Sequence, residues 1–137
     1  MSYAGDITPE EAWKLLVDDP EAVLVDCRTD AEWRFVGVPD LSSMQRDVVY
    51  VEWNTTDGKH NDGFVDELKA AGVAQGGRPV IFLCRSGNRS IGAAEAATEA
   101  GIAPSYNVLD GFEGHLDEYG HRGGTGWKAV GLPWKQS

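Results

Sequence analysis

The hydrophobic pattern of this chain alternates between short apolar runs and segments whose apolar residues recur at helical spacing. The clearest run, Val80-Ile81-Phe82-Leu83, offers apolar side chains to both faces of a sheet. Strands are predicted at 22–27, 48–53, 79–83 and 106–109. Helices are predicted around 9–17, 31–35, 64–71 and 90–100. Because strands alternate with helices, we expect a three-layer α/β domain with a mostly parallel central sheet of about five strands and helices on both faces.

Helix boundaries follow from capping residues. Thr8-Pro9-Glu10-Glu11 predicts a capping box with proline in the first helical position. Gly72 and Gly101 follow two of the predicted helices, where a glycine commonly ends a helix. These signals indicate a chain with several well-delimited helices between its strands.

The length and composition fit one globular domain. The chain has 137 residues, of which 42% are apolar, and this is enough for a hydrophobic core. We expect a single domain over residues 1–137, with its core at about 8–133. After Gly111 the periodic pattern weakens, and a glycine-rich stretch near 113–126 is interpreted as an insertion.

The charge balance limits the possible partners. Asp and Glu number 22 against 12 Lys and Arg, a net charge of −10. Such a chain repels phosphate backbones and anionic lipids, so we expect neither a nucleic-acid nor a membrane partner. The two cysteines form no disulfide framework or zinc site, and residues 1–11 lack the pattern of a secretory signal. A cytoplasmic protein with free thiols is expected.

The segment Cys84-Arg85-Ser86-Gly87-Asn88-Arg89, called here the 84–89 loop, joins the clearest predicted strand to a predicted helix. Sites in open α/β sheets lie at the carboxyl ends of strands. Loop amides, the helix N-terminus and two arginines all favour a thiolate at Cys84, and they would also bind an incoming anion. The alternative interpretation is a buried structural thiol, which the two flanking cations disfavour.

Four segments of this sequence resemble the rhodanese-like family. The 84–89 loop resembles that family's six-residue active-site loop, which begins with cysteine. The other three segments occur in the family's order; they are Asp26-Cys27-Arg28 with Glu32-Trp33, Val108-Leu109-Asp110-Gly111-Phe112, and Gly126-Trp127-Lys128-Ala129-Val130-Gly131-Leu132-Pro133.

The resemblance implies a sulfurtransferase. Cys84 would take a sulfane sulfur from thiosulfate or a similar small anionic donor, carry it as a persulfide, and pass it to a thiol or cyanide. A protein could also be the sulfur acceptor. The donor would be bound by the rest of the loop, with Asp26 and Arg28 in support; the loop residues are Arg85, Ser86, Gly87, Asn88 and Arg89. Neither a cofactor nor a metal is implied.

Two alternatives remain open. Rhodanese-related phosphatases and arsenate reductases use Cys-x5-Arg, whose larger ring holds a tetrahedral oxyanion, whereas Cys84 and Arg89 form Cys-x4-Arg. Some rhodanese-like domains are non-catalytic binding or regulatory modules, although these often lack the cysteine. The donor is also open, because a second cation that often follows the arginine in thiosulfate-specific members is replaced by Ser86.

Several residues receive supporting roles. Asp26 and Arg28 are expected to brace loops, with Arg28 pairing with Glu32 in a four-residue helical relation. Cys27 is expected in the core, although a redox role beside Cys84 is an alternative.

Other polar residues are assigned to the surface or to the mouth of the site. The three histidines lack metal-ligand spacing and are expected at the surface; they are His60, His115 and His121. Arg85 is expected to bind the donor and Arg89 to shape the loop. The 113–126 insertion is expected to lie over the mouth of the site; the alternative is a solvated insertion that folds away from it.

Overall fold

A parallel sheet of five strands forms the centre of the protein in the computed structural model, which describes residues 3–73 and 76–136. The strands stand in the order β1-β6-β5-β2-β4, so β5 occupies the middle. Their bounds are Gly5–Ile7 for β1, Val23–Asp26 for β2, Val49–Tyr50 for β4, Val80–Leu83 for β5 and Ser105–Val108 for β6. The predicted α/β fold with its parallel sheet is therefore confirmed.

The helices cover both faces of this sheet. Helix α1 packs on one face, while α3 and α4 pack on the other. Their bounds are Pro9–Asp18 for α1, Asp30–Phe35 for α2, Phe64–Ala70 for α3 and Arg89–Glu99 for α4. Within the described residues no helix is long and apolar enough to cross a membrane.

Both faces of strand β5 are buried, which explains why all four of its residues are apolar. Ile81 and Leu83 pack in the core that contains α1, whereas Val80 and Phe82 pack in the core that contains α3 and α4. All four residues are buried, and each such side chain contributes about 1.5–3 kcal/mol through removal from water. The same alternation carries Cys84 onto the face covered by α3 and α4.

Two capping boxes fix where helices begin. The Thr8 hydroxyl accepts from the Glu11 amide, and the Glu11 carboxylate accepts from the Thr8 amide, as the sequence predicts. A second box, between Thr29 and Glu32, starts α2. Because Thr29 is the N-cap residue, α2 begins only at residue 30, and this position matters for the functional site.

A second, two-stranded antiparallel sheet joins the chain end to the middle of the sequence. Strand β3, Val38–Pro39, pairs with β7, Trp134–Lys135. Strand β7 and the short β1 both lie outside the expected core range of 8–133. Residues 1–2, 74–75 and 137 of the expected domain lie outside the described residues.

Candidate active site

Cys84 directly follows the central strand, and its sulfur faces backbone donors from the loop and the following helix. The Gly87 amide donates to Cys84 Sγ over 3.2 Å, and the Ser90 amide donates to it over 3.3 Å. The Ser90 hydroxyl lies 3.1 Å from the same sulfur. Cys84 is only 1% exposed. Partial positive charge thus converges on a sheltered sulfur, an arrangement that stabilises a sulfur anion.

Glycines let a neighbouring segment close tightly on the 84–89 loop. Gly111, which follows β6, has a φ of +57°, and a side chain there would collide with the carbonyl oxygen of Cys84 and the backbone of Arg85. The backbone is locked in this position because Phe112 N–H donates to the Cys84 carbonyl over 2.8 Å. Gly87, with a φ of +95°, has the backbone of Asp110 against it. These contacts from the segment after β6 fix the shape of the 84–89 loop.

The remaining loop positions differ in burial. Ser86 is 9% exposed and therefore largely sheltered, whereas Asn88 and Arg85 are exposed. Asn88 is the N-cap residue of α4, but its side chain makes no capping hydrogen bond. The exposed side chains mark the outer rim of the loop.

The two loop arginines are used differently. Arg89 donates from both terminal nitrogens to Glu32, over 2.8 Å and 3.0 Å, which is a bidentate and partly buried ion pair. Arg85 has no hydrogen-bond or ion-pair partner for its side chain among residues 3–73 and 76–136. Arg85 is therefore the loop cation that is available to a ligand.

The Glu32 pairing corrects the expected contact between Glu32 and Arg28. That expectation requires a helix running through both residues, but Thr29 caps α2 after Arg28. Glu32 instead reaches the 84–89 loop. Burial opposes ionisation of its carboxyl, but hydrogen bonds and charge from Arg89 outweigh burial, and the pKa of Glu32 is lowered from its ordinary value.

Arg28 pairs with Asp26, and both side chains are fully buried. The guanidinium donates to the carboxylate from two nitrogens, with shortest distances of 2.9 Å from Nε and 2.6 Å from Nη2, and Nη2 also donates to the Gly37 carbonyl at 2.8 Å. The Phe112 ring lies 4.3 Å from its central carbon. This pair braces the β2 end to its neighbours, as the sequence predicts, with no exposed atom for a substrate.

Cys27 is buried in the core beside the site. It is 0% exposed, and its thiol donates to the Leu83 carbonyl over 3.4 Å. Burial, followed by the nearby Cys84 and Asp26, raises the pKa of Cys27 well above its ordinary value. The expected core position is confirmed, and a neutral thiol there is a poor nucleophile.

The 113–126 insertion starts against the 84–89 loop. Glu113 N–H donates to the Arg85 carbonyl over 2.9 Å. The base of the insertion is closed, because Gly123 N–H donates to the Glu113 carbonyl over 3.1 Å and Gly114 packs against the Thr125 backbone. The insertion is thus a compact loop whose two ends lie together beside Arg85.

The three histidines lie at the surface, as expected. His115 is 58% exposed and lies 2.8 Å from the Asp110 carboxylate. His60 and His121 are also exposed, and His60 packs its ring edge-on against Trp53. Within the described part of the chain, no group of three or more metal-ligating side chains occurs.

Sequence reasoning missed three residues that the structure brings to the site. Glu32 belonged to a recognised segment but was assigned the wrong partner. Ser90, directly after the loop, contacts Cys84 through both its amide and its hydroxyl. Asn107 is a buried polar residue inside a strand, a position that needs a hydrogen-bond partner and could have signalled the network behind the cysteine.

Known proteins resemble this chain over nearly all of its length. The family model described as the STR4 middle domain matches residues 4–137. A crystal structure of Rv0390 from M. tuberculosis shares 73% identity, covers 99% of this chain and 100% of that one, and superposes with a TM-score of 0.92. An uncharacterized protein of Rickettsia conorii is 35% identical over 95% of this chain and 96% of its own.

More distant matches carry informative descriptions. The chloroplastic protein Thylakoid Rhodanese-like of Oryza sativa is 28% identical over 95% of this chain, which spans only 25% of that protein. The polysulfide-sulfur transferase homodimer of Wolinella succinogenes is 25% identical, with coverage of 96% and 78% and a TM-score of 0.62. With its parallel sheet and its cysteine loop at the end of β5, this chain belongs to the STR4 middle-domain family and is a single rhodanese-like domain of the sulfurtransferase type.

Proposed function

We propose that this protein is a sulfurtransferase that carries sulfane sulfur as a persulfide on Cys84. The observation that carries the proposal is the convergence of the Gly87 and Ser90 amides on Cys84 Sγ at the end of the central strand. Such fixed donors stabilise negative charge on sulfur without reorganising during the reaction. The rhodanese-like family supports this chemistry.

The first step loads the cysteine. The Cys84 thiolate attacks the outer sulfur of thiosulfate, and a bond forms between Sγ and that sulfur. The sulfur–sulfur bond of thiosulfate breaks, and its electron pair leaves with sulfite. The product is a Cys84 persulfide, and no external oxidant or reductant is needed.

The second step transfers the sulfur from the Cys84 persulfide to an acceptor. A thiolate or cyanide attacks the outer sulfur of the persulfide and forms a new bond to it. The bond between this sulfur and Sγ breaks, and the electron pair returns to Cys84 as thiolate. The acceptor leaves as a persulfide or as thiocyanate, and the enzyme is ready for another donor.

The donor is proposed to be a small anion. Arg85 is exposed at the rim of the loop, and its side chain has no partner within the described ranges 3–73 and 76–136. In a chain of net charge −10, such a local cation attracts an anion that the overall field repels. Because Cys84 is 1% exposed, a slender donor such as thiosulfate reaches the sulfur more easily than a bulky one. Polysulfide, the substrate class of the W. succinogenes relative, has the same slender, anionic character.

Phosphatase activity fits the site less well. The larger Cys-x5-Arg ring holds a tetrahedral oxyanion, whereas the 84–89 loop is a Cys-x4-Arg ring whose Arg89 directs both terminal nitrogens to Glu32. A role as a non-catalytic binding module leaves the donors around Cys84 Sγ without a purpose. The proposed assignment is therefore sulfur transfer.

A steady-state assay with thiosulfate and cyanide tests the proposal. The wild-type protein should release thiocyanate and sulfite in equal amounts, and Cys84→Ser should release neither above background. A polysulfide donor run in parallel tests the other donor class. A folded wild-type protein that turns over neither donor would contradict the proposal.

A further inference from the structure

Behind the sulfur of Cys84, a line of polar side chains leads to the protein surface. The Ser90 hydroxyl, 3.1 Å from Cys84 Sγ, donates to Oδ1 of Asn107. Nδ2 of Asn107 donates to Oδ1 of Asp6 over 3.0 Å, and the Tyr3 hydroxyl donates to the same oxygen over 2.6 Å. Ser90 and Asn107 are buried, whereas Asp6 is exposed. Asp6 and Asn107 are direct register partners on β1 and β6.

The hydrogen bonds along this line have a fixed direction. A carboxylate oxygen only accepts, and the hydrogen bond to Asp6 raises the pKa of Tyr3 to about 12, so Tyr3 keeps its proton as a donor. Because Asp6 holds the amide nitrogen of Asn107, the amide oxygen faces Ser90. That oxygen takes the single hydroxyl hydrogen of Ser90, and the hydroxyl then presents a lone pair to Cys84 Sγ.

We propose that Asp6 is a positioning residue that holds resting Cys84 in its thiol form. It acts through Asn107 and the Ser90 hydroxyl, whose oxygen accepts the S–H hydrogen. When the thiolate forms, this hydroxyl must turn its hydrogen from Asn107 to the sulfur, and the Asn107 oxygen loses its donor. The inference rests on the proposed role of Cys84 as nucleophile and adds a restraint that limits reaction of the cysteine between turnovers.

Other groups around the sulfur act in different directions. The Gly87 amide and the positive charge of Arg89 favour the thiolate, while Cys27, whose raised pKa keeps its thiol neutral, adds no negative charge. Arg85 lies in the same loop, the Asp110 backbone packs against Gly87, and Glu32 pairs with Arg89. Within the described residues, none of these groups hydrogen-bonds to the Ser90 hydroxyl, so the line to Asp6 is an independent influence on the sulfur.

Asp6→Asn keeps a side chain of the same size, but it no longer fixes which way the hydrogen bonds through Asn107 and Ser90 point. An amide offers a donor as well as an acceptor, so Asn107 is free to turn its nitrogen toward Ser90, whose hydrogen then points at Cys84 Sγ. The pH midpoint of Cys84 alkylation by iodoacetamide should fall by about one unit, a tenfold increase in the ratio of thiolate to thiol. Because Asp6 is exposed, the variant is expected to fold.

Two controls separate this effect from simple loss of a charge. Glu95→Gln neutralises another exposed carboxylate that also acts on Tyr3 but lies outside the line, and it should shift the midpoint much less. In a Ser90→Ala background, Asp6→Asn should leave the midpoint unchanged, because the hydroxyl that transmits the effect is missing. Thermal unfolding of every variant checks that it is folded.

The outcomes are distinct. An unchanged midpoint in folded Asp6→Asn, an equal shift in Glu95→Gln, or a shift that persists in Ser90→Ala overturns the inference. If Ser90→Ala fails to fold, the difference in alkylation midpoint between Asp6→Asn and Glu95→Gln still tests the inference. Alkylation requires no sulfur donor, so this result does not depend on whether the protein forms a persulfide, and failure of the proposed function would be seen separately in the thiosulfate assay.

Discussion

Arg89 and Glu32 form a bidentate ion pair that ties the 84–89 loop to helix α2, with the two nitrogen–oxygen distances at 2.8 Å and 3.0 Å. The two residues are 57 positions apart in the sequence. Both side chains are mostly buried, at 24% and 18% exposure. The pair fixes the start of α4, whose amide at Ser90 faces the cysteine, and it leaves Arg85 as the loop cation at the surface.

This pair predicts a pH-dependent contribution to stability. The pKa of Glu32 is lowered in the folded protein, so its stabilising contribution is present above its ordinary pKa of 4.5 and is lost as the pH falls through the folded value. Glu32→Gln should lower the free energy of unfolding by about 1–3 kcal/mol near pH 7. The difference from wild type should shrink near pH 4 and below.

Urea unfolding at several pH values measures this difference. Glu118→Gln, which removes an exposed carboxylate in the insertion, serves as the matched control and should change stability little at any pH. A deficit in Glu32→Gln that grows as the pH falls would contradict the assigned role of the pair.

Arg85→Ala is predicted to weaken donor binding with little loss of stability. The side chain is exposed and unpaired among the described residues, so its removal breaks no folded-state contact. Loss of one charge-assisted contact with the donor costs roughly 1.5–3 kcal/mol, which raises KM for thiosulfate about ten- to a hundredfold. Steady-state kinetics give KM, and thermal unfolding gives stability.

Arg89→Ala and Lys69→Ala are informative comparisons for Arg85→Ala. Arg89→Ala leaves Glu32 unpaired and should lower stability more than Arg85→Ala does. Lys69→Ala removes an exposed cation on α3 and should leave KM unchanged. The division of roles between the arginines would be wrong if Arg85→Ala and Lys69→Ala gave the same KM.

Cys27→Ala is predicted to retain most sulfur transfer. The thiol is buried with a raised pKa, so it supplies no reactive anion. Its loss leaves a small cavity and removes the hydrogen bond to Leu83, at a cost of about 1–2 kcal/mol in stability. A hundredfold fall in turnover, in a variant shown to be folded, would assign Cys27 a chemical role instead.

Shortening the 113–126 insertion is predicted to change donor selectivity. The insertion begins at the Arg85 backbone, and a cavity of about 110 Å³ at its base is lined by two cationic residues, Arg122 and Lys128, together with the acidic Glu113. Its ends at Gly114 and Gly123 lie together, so residues 115–122 can be replaced by a short linker. Persulfide formation should change by different factors for thiosulfate and for a bulkier organic thiosulfonate.

The comparison of the two donors decides what the insertion does. Equal changes for both donors, in a shortened protein that still folds, would mean that the insertion does not govern entry. As a control, deletion of the exposed turn at 56–58 should change persulfide formation with neither donor.

The cysteine loop was predictable because its signals are local. Apolar residues on both faces mark β5 as central, and the cysteine, glycine and arginines follow it directly in the sequence. The capping box at Thr8 was predictable for the same reason. Local hydrogen bonds and hydrophobic alternation leave their pattern within a few neighbouring residues.

The partners of the loop depend on contacts between distant segments and were not predictable in the same way. Strand β1 has three residues, including Gly5 and Asp6, and gives no strand pattern, so the Asp6–Asn107 pairing appears only once the sheet order is known. The error with Arg28 and Glu32 arose because their four-residue spacing suggests a pair only inside a helix. The cap at Thr29 excludes Arg28 from that helix.

Mass spectrometry of the intact protein after incubation with thiosulfate shows directly whether Cys84 carries sulfur as a persulfide. The wild-type protein and Cys27→Ala should each gain the mass of one sulfur atom, which is lost again on treatment with cyanide or a thiol. Cys84→Ser should gain none. A sulfur adduct of equal yield in Cys84→Ser, or no adduct on the folded wild-type protein with either thiosulfate or polysulfide, would contradict a Cys84 persulfide.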